Sequence, residues 1–482
     1  MNQTWLREKG ARLMLAVLMA ACLAVSNMAA ATAAEYGPSD QLDEVFALIE
    51  QYHYSGIDEE QLRDAAIDGM LMKLGDPYTE YYNDKRWAAL NSGLEQDYVG
   101  IGVLLEEVDS GLLIRKVYPG SAAEAADLHP GDMLVGIAGE DIRGQSLSDL
   151  IDRLLGEEGT NVALDVQPAG GGAAKEVVMT RRAFHIPTVE SGRFSGGIGY
   201  IQITSFSSDT AASFKAAMDK LKEGPFEGLI VDVRGNPGGY LEAVRGVASN
   251  FIEDGTLMYT ENRDGDRKEI MIQEGQSADI PVVLLIDEGS ASASEVLAGA
   301  LKDYKLAELI GTRTFGKGSV QSLIPLQTGG GLKLTVEHYF TPNGNEVHGE
   351  GINPDRTVAD PAAQTITALH EAGAGQIRLL IRPYETEING KTFDHRLQVI
   401  RENTRVFVPS VVLSALVEGQ ASWDGGTSTV SIRSDEGSFQ FGGSNGLLLQ
   451  NGKSYIALDA FVKAYPNVKA SHSKNQVTLE SM

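Results

Sequence analysis

The sequence predicts a multidomain α/β chain, and three patterns indicate this fold class. Two segments, "GLIVDVRGNPGGYLEAVRGVASNFI" and "IPVVLLIDEGSASASEVLAGALKDY", each read as a buried strand, a short turn and a helix. Such units are typical of parallel strands joined by crossover helices. A glycine-bounded segment rich in strands precedes them, and a weak internal repeat follows them. The 482 residues suffice for about three or four domains of ordinary size.

The domain boundaries follow from changes in composition and periodicity along the chain. The expected parts are a signal peptide (1–34), an N-terminal helical region (35–93), a small β-rich unit (94–183), an α/β core (184–362), a linker (363–375) and a small α+β repeat domain (376–482). The predicted architecture is therefore an α/β core with an inserted β-rich unit, N-terminal helices and a C-terminal repeat domain.

The first residues have the pattern of a secretory signal. Arg7, Lys9 and Arg12 precede an apolar run over residues 13–25, and the small-residue stretch "MAAATAAEYG" follows. A charged start, a short apolar run and an A-x-A-like site predict an exported protein. It would be secreted, or held at the outer face of the cytoplasmic membrane or the cell wall. An uncleaved anchor and a lipoprotein site at Cys22 remain as alternatives.

The composition argues against a nucleic-acid partner and against a disulfide framework. The formal net charge is −26, and such a surface repels nucleic acid, so no nucleic-acid partner is expected. Cys22 is the single cysteine and lies in the signal segment, so the mature chain would contain no disulfide.

The region after the signal segment is predicted to be helical. "LDEVFALIEQY" and "EEQLRDAAIDGMLMKL" both place apolar residues at helical spacing, and "GDPYTEYY" then interrupts the pattern. A helical hairpin of this kind can pack on the following domain or pair with another copy of the chain.

The β-rich unit contains a candidate peptide-binding loop. "YVGIGVLLEE", "GLLIRKVYPG" and "SAAEAADLHPGDMLVGIAGEDI" resemble a PDZ domain, in which the C-terminal segment of a peptide adds as a strand to a sheet edge. The resemblance implies that the peptide carboxylate binds backbone N–H groups of Tyr98, Val99, Gly100, Ile101 and Gly102. The glycines alone also fit a tight turn between packed strands.

The stretch "DEGSASASEVL" offers three candidate nucleophiles, Ser290, Ser292 and Ser294. Ser292 and Glu295 fit a capping box at the start of a helix, which is a purely structural role. A strand-to-helix turn is also a place where a nucleophile is exposed and where helix N–H groups can stabilise an oxyanion. The local pattern does not choose among the three serines.

A serine nucleophile needs a base, and the sequence offers two kinds. His338 and His348 are near the right domain but lie in no catalytic motif, so a Ser–His arrangement is an alternative without local support. In "GTRTFGKGSVQSLIPL", Lys317 lies between two glycines, and burial would lower the pKa of its amine. Gln321 is four residues on and could hold the lysine by a hydrogen bond.

These motifs, with "GIGYIQITSF", "AIDGMLMKLGDPYTEYY" and "YFTPNGNEVHGEGINPD", resemble the carboxyl-terminal processing peptidases from about residue 40 to 358. These are serine peptidases with a Ser–Lys dyad and an inserted PDZ domain. The resemblance implies that Ser292 is the nucleophile, Lys317 the general base and Gln321 its support. It also implies oxyanion donors at the backbone N–H groups of Gly238 and Ala293, and no metal or organic cofactor.

One position departs from the family pattern. Family PDZ domains often have an arginine directly before the turn that here reads "GEEGT", and in some members it couples peptide binding to activation. Leu155 occupies that position and Arg153 lies two residues earlier. Gating of activity through this residue is therefore in doubt.

The last residues contain one pattern twice, with short strands opening at Val406 and Tyr455. This repeat resembles the stalk-like domain named after the N-terminal region of copper amine oxidases, without any ligand cluster for copper. We expect a spacer, or a module that contacts the cell surface.

The predicted function is that of an exported serine endopeptidase that cleaves protein or peptide substrates with accessible C-termini at or near those ends. The PDZ domain would recognise the substrate tail. A homodimer through the N-terminal helices is implied by the resemblance only. Two alternatives remain: a catalytically inactive PDZ scaffold, and a His-dependent serine protease.

Overall fold

A computed structural model describes residues 38–383, 385–393 and 397–481, so the expected signal peptide lies outside the described residues. The chain divides into two units between Tyr81 and Tyr82. In the first unit, helix α1 (Pro38–Tyr52) is followed by helix α2 (Glu59–Met72), which begins at the capping carboxylate of Asp58. Strand β1 (Glu80–Tyr82) spans the boundary. Of the helices in the described part of the chain, none is both long enough and apolar enough to cross a membrane.

The β-rich module opens the second unit. Helix α3 (Asp84–Glu95) leads into strand β2 (Asp97–Gly100), which pairs antiparallel with β9 (Arg182–His185) at the far end of the module. Between them lie β3 (Val103–Val108), β4 (Gly111–Val117), α4 (Ala122–Ala125), β5 (Met133–Ile137), β6 (Glu140–Asp141), α5 (Leu147–Leu154), β7 (Asn161–Gln167) and β8 (Lys175–Thr180). The sheet order is β3-β4-β5-β7-β8, which leaves β3 at an edge beside α5.

A six-stranded sheet, in the order β10-β11-β12-β15-β16-β19, carries the α/β core. Its elements and the helices that cover it are β10 (Val189–Arg193), β11 (Ile198–Ile203), α6 (Thr210–Lys222), β12 (Gly228–Asp232), α7 (Leu241–Ala248), β15 (Val282–Ile286), α8 (Ala293–Asp303), β16 (Glu308–Gly311) and β19 (Arg356–Thr357). The strands from β11 to β19 run parallel, and β12 and β15 are neighbours. Because parallel strands end at the same edge, the turns after β12 and β15 lie side by side.

A second, antiparallel sheet packs against α8. It includes β13 (Gly255–Asn262), β14 (Arg267–Ile272), β17 (Ser319–Pro325) and β18 (Gly331–Phe340). Strand β18 pairs with β17 along one stretch and with β13 along another, and β13 contacts α8. This arrangement brings the chain around Lys317 to the start of α8.

Helix α9 (Pro361–Glu371) follows the core and occupies most of the range 363–375 that we expected to be a linker. It is a packed helix because six of its residues bury their side chains, against the core sheet on one side and the C-terminal domain on the other. The sequence pattern missed it because its apolar residues are mostly alanines, whose periodicity is weak.

The described residues of the C-terminal domain form three small sheets and two helices. Its elements are β20 (Arg378–Ile381), β21 (Thr386–Ile388), β22 (Lys391–Phe393), β23 (Ile400–Glu402), β24 (Arg405–Pro409), α10 (Ser410–Leu416), β25 (Gln420–Asp424), β26 (Thr429–Ser434), β27 (Gly437–Phe441), a 3₁₀ turn (Gly443–Asn445), β28 (Leu447–Gln450), β29 (Lys453–Ala457), α11 (Leu458–Ala464), β30 (Val468–Ser473) and β31 (Gln476–Ser481). The predicted repeat appears as strand, helix and hairpin twice, with β24 and β29 paired antiparallel.

The hydrophobic core has two main parts, one on each face of the core sheet. One cluster joins residues of the core sheet, such as Ile230 and Leu285, to Ile366 of α9 and to Leu413 and Leu479 of the C-terminal domain. The other cluster lies under α6, α7 and α8. The C-terminal domain therefore shares a continuous core with the α/β core and is packed onto it through α9.

Candidate active site

Ser292 lies at the turn between β15 and α8 in a strained backbone conformation, with φ 54° and ψ −113°. A non-glycine residue in such a region costs roughly 1–3 kcal/mol, so surrounding contacts must hold it. The N–H of Ser292 donates to a carboxylate oxygen of Glu295 (2.9 Å), and the hydroxyl of Tyr339 donates to the Ser292 carbonyl oxygen (3.1 Å). Hydrogen bonds to both peptide groups of Ser292 therefore hold this residue in its strained conformation.

The two neighbouring serines have structural roles. Ser290 is fully buried and its hydroxyl donates to the carbonyl oxygen of Val233 (2.7 Å). Ser294 is also fully buried and its hydroxyl donates to the carbonyl oxygen of Asn236 (2.9 Å). Both therefore bind the neighbouring turn after β12 and cannot contact substrate. Ser292 is the half-buried member of the three.

Glu295 connects the Ser292 turn to the Lys317 loop. Its buried carboxylate accepts four hydrogen bonds: from the Thr314 hydroxyl (2.6 Å) and the Gly316 N–H (2.7 Å) on Oε1, and from the Lys317 N–H (2.8 Å) and the Ser292 N–H (2.9 Å) on Oε2. A buried carboxylate needs such partners, because an unpaired charge in the interior is costly. The amides of Ser292 and Lys317 therefore share one oxygen atom.

The Lys317 loop depends on its glycines. Gly316 has φ +92°, a conformation that favours glycine. A Cβ atom on Gly318 would lie 2.1 Å from the backbone nitrogen of His348, so the chain can pass there only as glycine. The loop is anchored further by Thr314, whose hydroxyl accepts the N–H of Ile352 (2.6 Å). The half-buried Lys317 is thus held by backbone contacts on both sides.

Gln321 lies on β17, just beyond a register shift between Val320 and Gln321. Its side-chain amide donates to the hydroxyl of Ser319 (2.8 Å). Because β17 begins at Ser319, Lys317 precedes the strand that carries Gln321. The role of Gln321 in holding the lysine stays a prediction.

The two histidines of the alternative reading lie together. The rings of His338, on β18, and His348 stack with centroids 4.6 Å apart. His338 is opposite Ser319 in the β17–β18 ladder, so the pair lies beside the Lys317 loop. The stacking of the two rings is a packing contact. The variants His338→Gln and His348→Gln test whether either ring acts in catalysis.

Gly238 lies against the nucleophile turn. A Cβ atom at this position would approach within 2.8 Å of the Ser292 Cβ and 3.0 Å of the Ala293 nitrogen. Ala293 is the first residue of α8, so its N–H has no acceptor within the helix. The N–H of Gly238 donates to the side-chain oxygen of Asn236 (2.9 Å) in this structure.

A buried ion pair begins the same turn. The carboxylate of Asp232 binds the guanidinium of Arg234 through two oxygens and also accepts the hydroxyl of Tyr200 (2.7 Å). Burial and then the Asp232 charge raise the pKa of Tyr200 well above its usual value. Burial alone would lower the pKa of Arg234, but the charge of Asp232 raises it. Tyr200 therefore stays neutral and Arg234 stays charged around neutral pH.

The predicted PDZ loop combines strand pairing with a tight turn. Tyr98, Val99 and Gly100 belong to β2 and pair with β9. Gly102 has φ +74°, and a Cβ atom there would lie 2.2 Å from the Cβ of Ser121, so only glycine fits. The carbonyl oxygen of Ile101 accepts the N–H of Ala123 (2.9 Å), which ties the loop to the start of α4.

Leu155 and Arg153 occupy different environments beside this loop. The Leu155 side chain lies against Gly100, within 2.9 Å of where a Cβ atom would be. Arg153 is turned away, because its guanidinium donates to the carbonyl oxygen of Ile137 (3.1 Å) and pairs with Glu140 (2.8 Å). Arg153 therefore does not replace the arginine that family members often have at the Leu155 position.

Arg181 forms hydrogen bonds that could not be predicted from the sequence. Its guanidinium donates to the carbonyl oxygens of Arg153 (2.7 Å) and Leu154 (3.3 Å) at the end of α5, and to the Thr160 hydroxyl (2.9 Å). A cation here satisfies carbonyls that lack partners at a helix C-terminus. Arg181 thus fixes α5 beside the predicted peptide groove.

Replacing Arg181 with alanine is expected to destabilise the module by about 1–3 kcal/mol, because several charge-assisted hydrogen bonds are lost. Hydrogen exchange of the α5 amides in the full chain measures this change. Arg182→Ala is the matched control, since that neighbouring side chain is exposed. Equal protection of α5 in both variants would contradict the assigned role.

Comparison with known proteins identifies three regions of the chain. Residues 197–358 match peptidase family S41, residues 113–168 match the PDZ domain, and residues 19–86 match the N-terminal domain of the activating protease CtpB. The first two ranges lie inside the predicted core and β-rich unit. None of the three extends beyond residue 358, so the resemblance of the C-terminal domain to the amine oxidase module stays a prediction.

Two curated proteins and one solved structure are similar to about two thirds or more of the chain. The carboxy-terminal processing protease CtpB of Bacillus subtilis is 33% identical over 360 residues, which cover 74% of this chain and 73% of the relative. A probable CtpA-like serine protease of Staphylococcus aureus is 34% identical over 333 residues, covering 68% of this chain but 66% of the relative, slightly under two thirds. The solved photosystem II D1 C-terminal processing protease is 29% identical, covers 67% of this chain and 93% of that one, and has a TM-score of 0.42.

An α/β core with a strained serine turn and an inserted PDZ domain defines the class of PDZ-containing serine-type peptidases. The chain belongs to peptidase family S41, and carboxy-terminal processing proteases are among its relatives. The fold class and the family that the motifs predicted are thereby confirmed.

Proposed function

We propose that this protein is a serine endopeptidase that cleaves protein substrates at or near their C-termini by a Ser292–Lys317 dyad. The observation that carries the proposal is the shared carboxylate of Glu295, which binds the amides of both residues. Two nitrogens on one oxygen lie within two hydrogen-bond lengths of each other. The backbones of nucleophile and base are therefore held together by one buried group.

In the proposed reaction, the neutral amine of Lys317 accepts the proton of the Ser292 hydroxyl. The alkoxide attacks the scissile carbonyl carbon, and the N–H groups of Ala293 and Gly238 receive the developing oxyanion. Lys317 then returns the proton to the leaving amine as the peptide C–N bond breaks. Water, deprotonated by the same lysine, hydrolyses the acyl-enzyme and regenerates Ser292.

The PDZ domain would supply substrate selection. Strand β3 has one free edge in the described part of the sheet, and α5 lies beside it. A substrate tail can add to that edge as a strand, with its carboxylate at the loop over residues 98–102. The name of the Bacillus subtilis relative, a carboxy-terminal processing protease, agrees with cleavage guided by a C-terminal tail.

The test is cleavage of an unfolded protein substrate with a free C-terminus by the purified full chain. Mass spectrometry is expected to show loss of C-terminal fragments with wild type and none with Ser292→Ala. Ser290→Ala serves as the matched control, and it is expected to retain cleavage if it folds. Absence of cleavage by wild type would favour the alternative of an inactive PDZ scaffold.

The N-terminal helices are proposed to form a homodimer. They expose several large apolar side chains: Leu42, Val45, Leu48, Tyr52, Met70 and Met72. Apolar surface of this extent on two helices is expected to be covered by a partner. Light scattering should therefore give the mass of a dimer for the chain from residue 35, and that of a monomer when residues 38–72 are deleted. A monomer in both cases would contradict the proposal.

Export and a surface contact through the C-terminal domain complete the proposal. The segment 1–34 would direct the chain across the membrane. Fractionation of the native host measures this directly, and recovery of the protein in the cytoplasm alone would contradict it.

A further inference from the structure

The Arg234 side chain connects the core sheet to helix α9. On one side its guanidinium binds Asp232, at 2.9 Å from Nε and 2.5 Å from Nη2. On the other side, Nη1 donates to the carbonyl oxygen of Pro361 (3.1 Å) and to the side-chain oxygen of Gln364 (2.9 Å). Nη2 also approaches the Thr365 hydroxyl (3.5 Å). One planar group therefore joins strand β12 to the first turn of α9.

The acceptors on α9 are oriented in advance. Gln364 is 2% exposed, and its side-chain N–H group donates to the carbonyl oxygen of Val358 (2.7 Å), which leaves its oxygen facing Arg234. The Thr365 hydroxyl is fully buried and donates to the carbonyl oxygen of Pro361 (3.1 Å), so its lone pairs face the guanidinium. A buried arginine that lost these acceptors would hold unsatisfied donors or move.

Arg234 is also the first residue of the turn that carries Gly238. The next residue, Gly235, donates its N–H to Asp287 (2.8 Å), and Asn236 accepts the N–H of Ala291 (3.0 Å) through its carbonyl oxygen. The turn is thus attached to the Ser292 segment at several points and to α9 at one. A shift of Arg234 displaces Gly238 relative to the nucleophile.

Helix α9 is supported from behind by the C-terminal domain. It contacts β15 and β16 of the core sheet and α10 of the C-terminal domain. Ile366 and Leu369 of α9 lie in the hydrophobic cluster that also contains Leu413. The position of α9, and with it the two acceptors for Arg234, therefore depends on packing with a domain that contains none of the predicted catalytic residues.

We propose that Gln364 and Thr365 are positioning residues that hold the oxyanion turn through Arg234, so that the C-terminal domain supports catalysis through α9. This inference rests on the proposed function, because it assigns the turn at Gly238 to oxyanion binding. It gives the C-terminal domain a role in the reaction that differs from that of a spacer or a surface contact.

The test compares Gln364→Met, which keeps the size of the side chain and removes the acceptor, with wild type on a peptide substrate. We expect kcat to fall by about 10- to 100-fold with little change in KM, a smaller loss than the roughly 100- to 1,000-fold from deleting an oxyanion donor. A peptide boronic acid, which forms a tetrahedral adduct with serine, should bind more weakly by a similar factor. Gln364→Glu retains an acceptor and should keep more activity than Gln364→Met.

The control is Thr367→Val, because Thr367 lies on the same helix but is not one of the residues that the described Arg234 hydrogen bonds reach, which are Pro361, Gln364 and Thr365. Thr365→Val makes the same substitution at the contact. Only Thr365→Val should lower kcat. If Gln364→Met does not fold, Thr365→Val carries the test alone. Wild-type kcat in the folded Gln364→Met or Thr365→Val would overturn the inference, as would a lower melting temperature without weaker boronate binding.

The two proposals fail in different ways. If Ser292→Ala or Lys317→Ala remains active in the same assay, the proposed function is wrong. If those variants are inactive and Gln364→Met equals wild type, the dyad stands and the role of α9 is wrong.

Discussion

Lys317→Ala is expected to lower kcat/KM by about 1,000-fold or more, while the fold is preserved. The loss has this size because a serine hydroxyl without a base is a weak nucleophile, and removal of one member of such a catalytic group abolishes most of its effect. The Lys317 N–H still binds Glu295 in the alanine variant, since that contact uses the backbone. Steady-state cleavage of a C-terminal tail peptide measures the change.

Two sets of controls accompany Lys317→Ala. Lys215→Ala removes an exposed lysine that pairs with Asp219 on α6, and it should have no effect on kcat/KM. His338→Gln and His348→Gln test the histidine alternative, and each should retain most activity. Full activity of Lys317→Ala, or a loss in a folded histidine variant as large as that of Ser292→Ala, would contradict the dyad.

Glu295→Gln is expected to lower kcat/KM by about 100-fold or more. The four groups that surround the carboxylate are all donors, and an amide would direct its own N–H group at two of them. The strained conformation of Ser292 then loses one of the contacts that hold it, and the Lys317 loop loses its anchor. Activity assays combined with thermal unfolding measure both consequences.

Glu288→Gln is the matched control, because Glu288 lies in the same turn and accepts the Thr312 hydroxyl (2.8 Å) at an exposed position. It should be close to wild type in kcat and melting temperature. A folded Glu295→Gln variant with wild-type kcat would show that the shared carboxylate does not position the pair.

The parts of the fold that carry strong local patterns could be predicted. The two strand–turn–helix units, the β-rich module and the C-terminal repeat all appear in the structure. Their patterns are strong because buried parallel strands and amphipathic elements leave a periodic signal in the chain. Helix α9 has almost no periodic signal in the sequence, because alanine is compatible with many environments.

The sequence could nominate residues for the candidate site, but the contacts that connect those residues have no local signal in the sequence. The S-x-x-E pattern identified Glu295 as a cap, and its side chain does reach the Ser292 N–H. Its second role, binding the amides of Gly316 and Lys317, joins residues about twenty positions apart and has no local signal. The same holds for Arg234 and Gln364, which come together across more than a hundred residues.

The choice among the three serines also depends on contacts with residues that are distant in sequence. Spacing alone left Ser290, Ser292 and Ser294 equivalent, and the resemblance selected Ser292. The structure supplies a physical reason, because the outer two hydroxyls are buried and bound to carbonyl oxygens of the turn after β12. That turn is distant in sequence, so no analysis of the local stretch alone could have separated them.

Proton transfer from Ser292 to Lys317 can be measured through the rate at which a serine-reactive phosphonate labels Ser292. Mass spectrometry follows the labelling as a function of pH in wild type and in Lys317→Ala. We expect labelling of wild type to accelerate as pH rises through a single ionisation, because only the neutral amine accepts a proton. We expect labelling of Lys317→Ala to be slow and to lack that ionisation. Equal rates and equal pH profiles in the two proteins would show that Lys317 does not deprotonate Ser292.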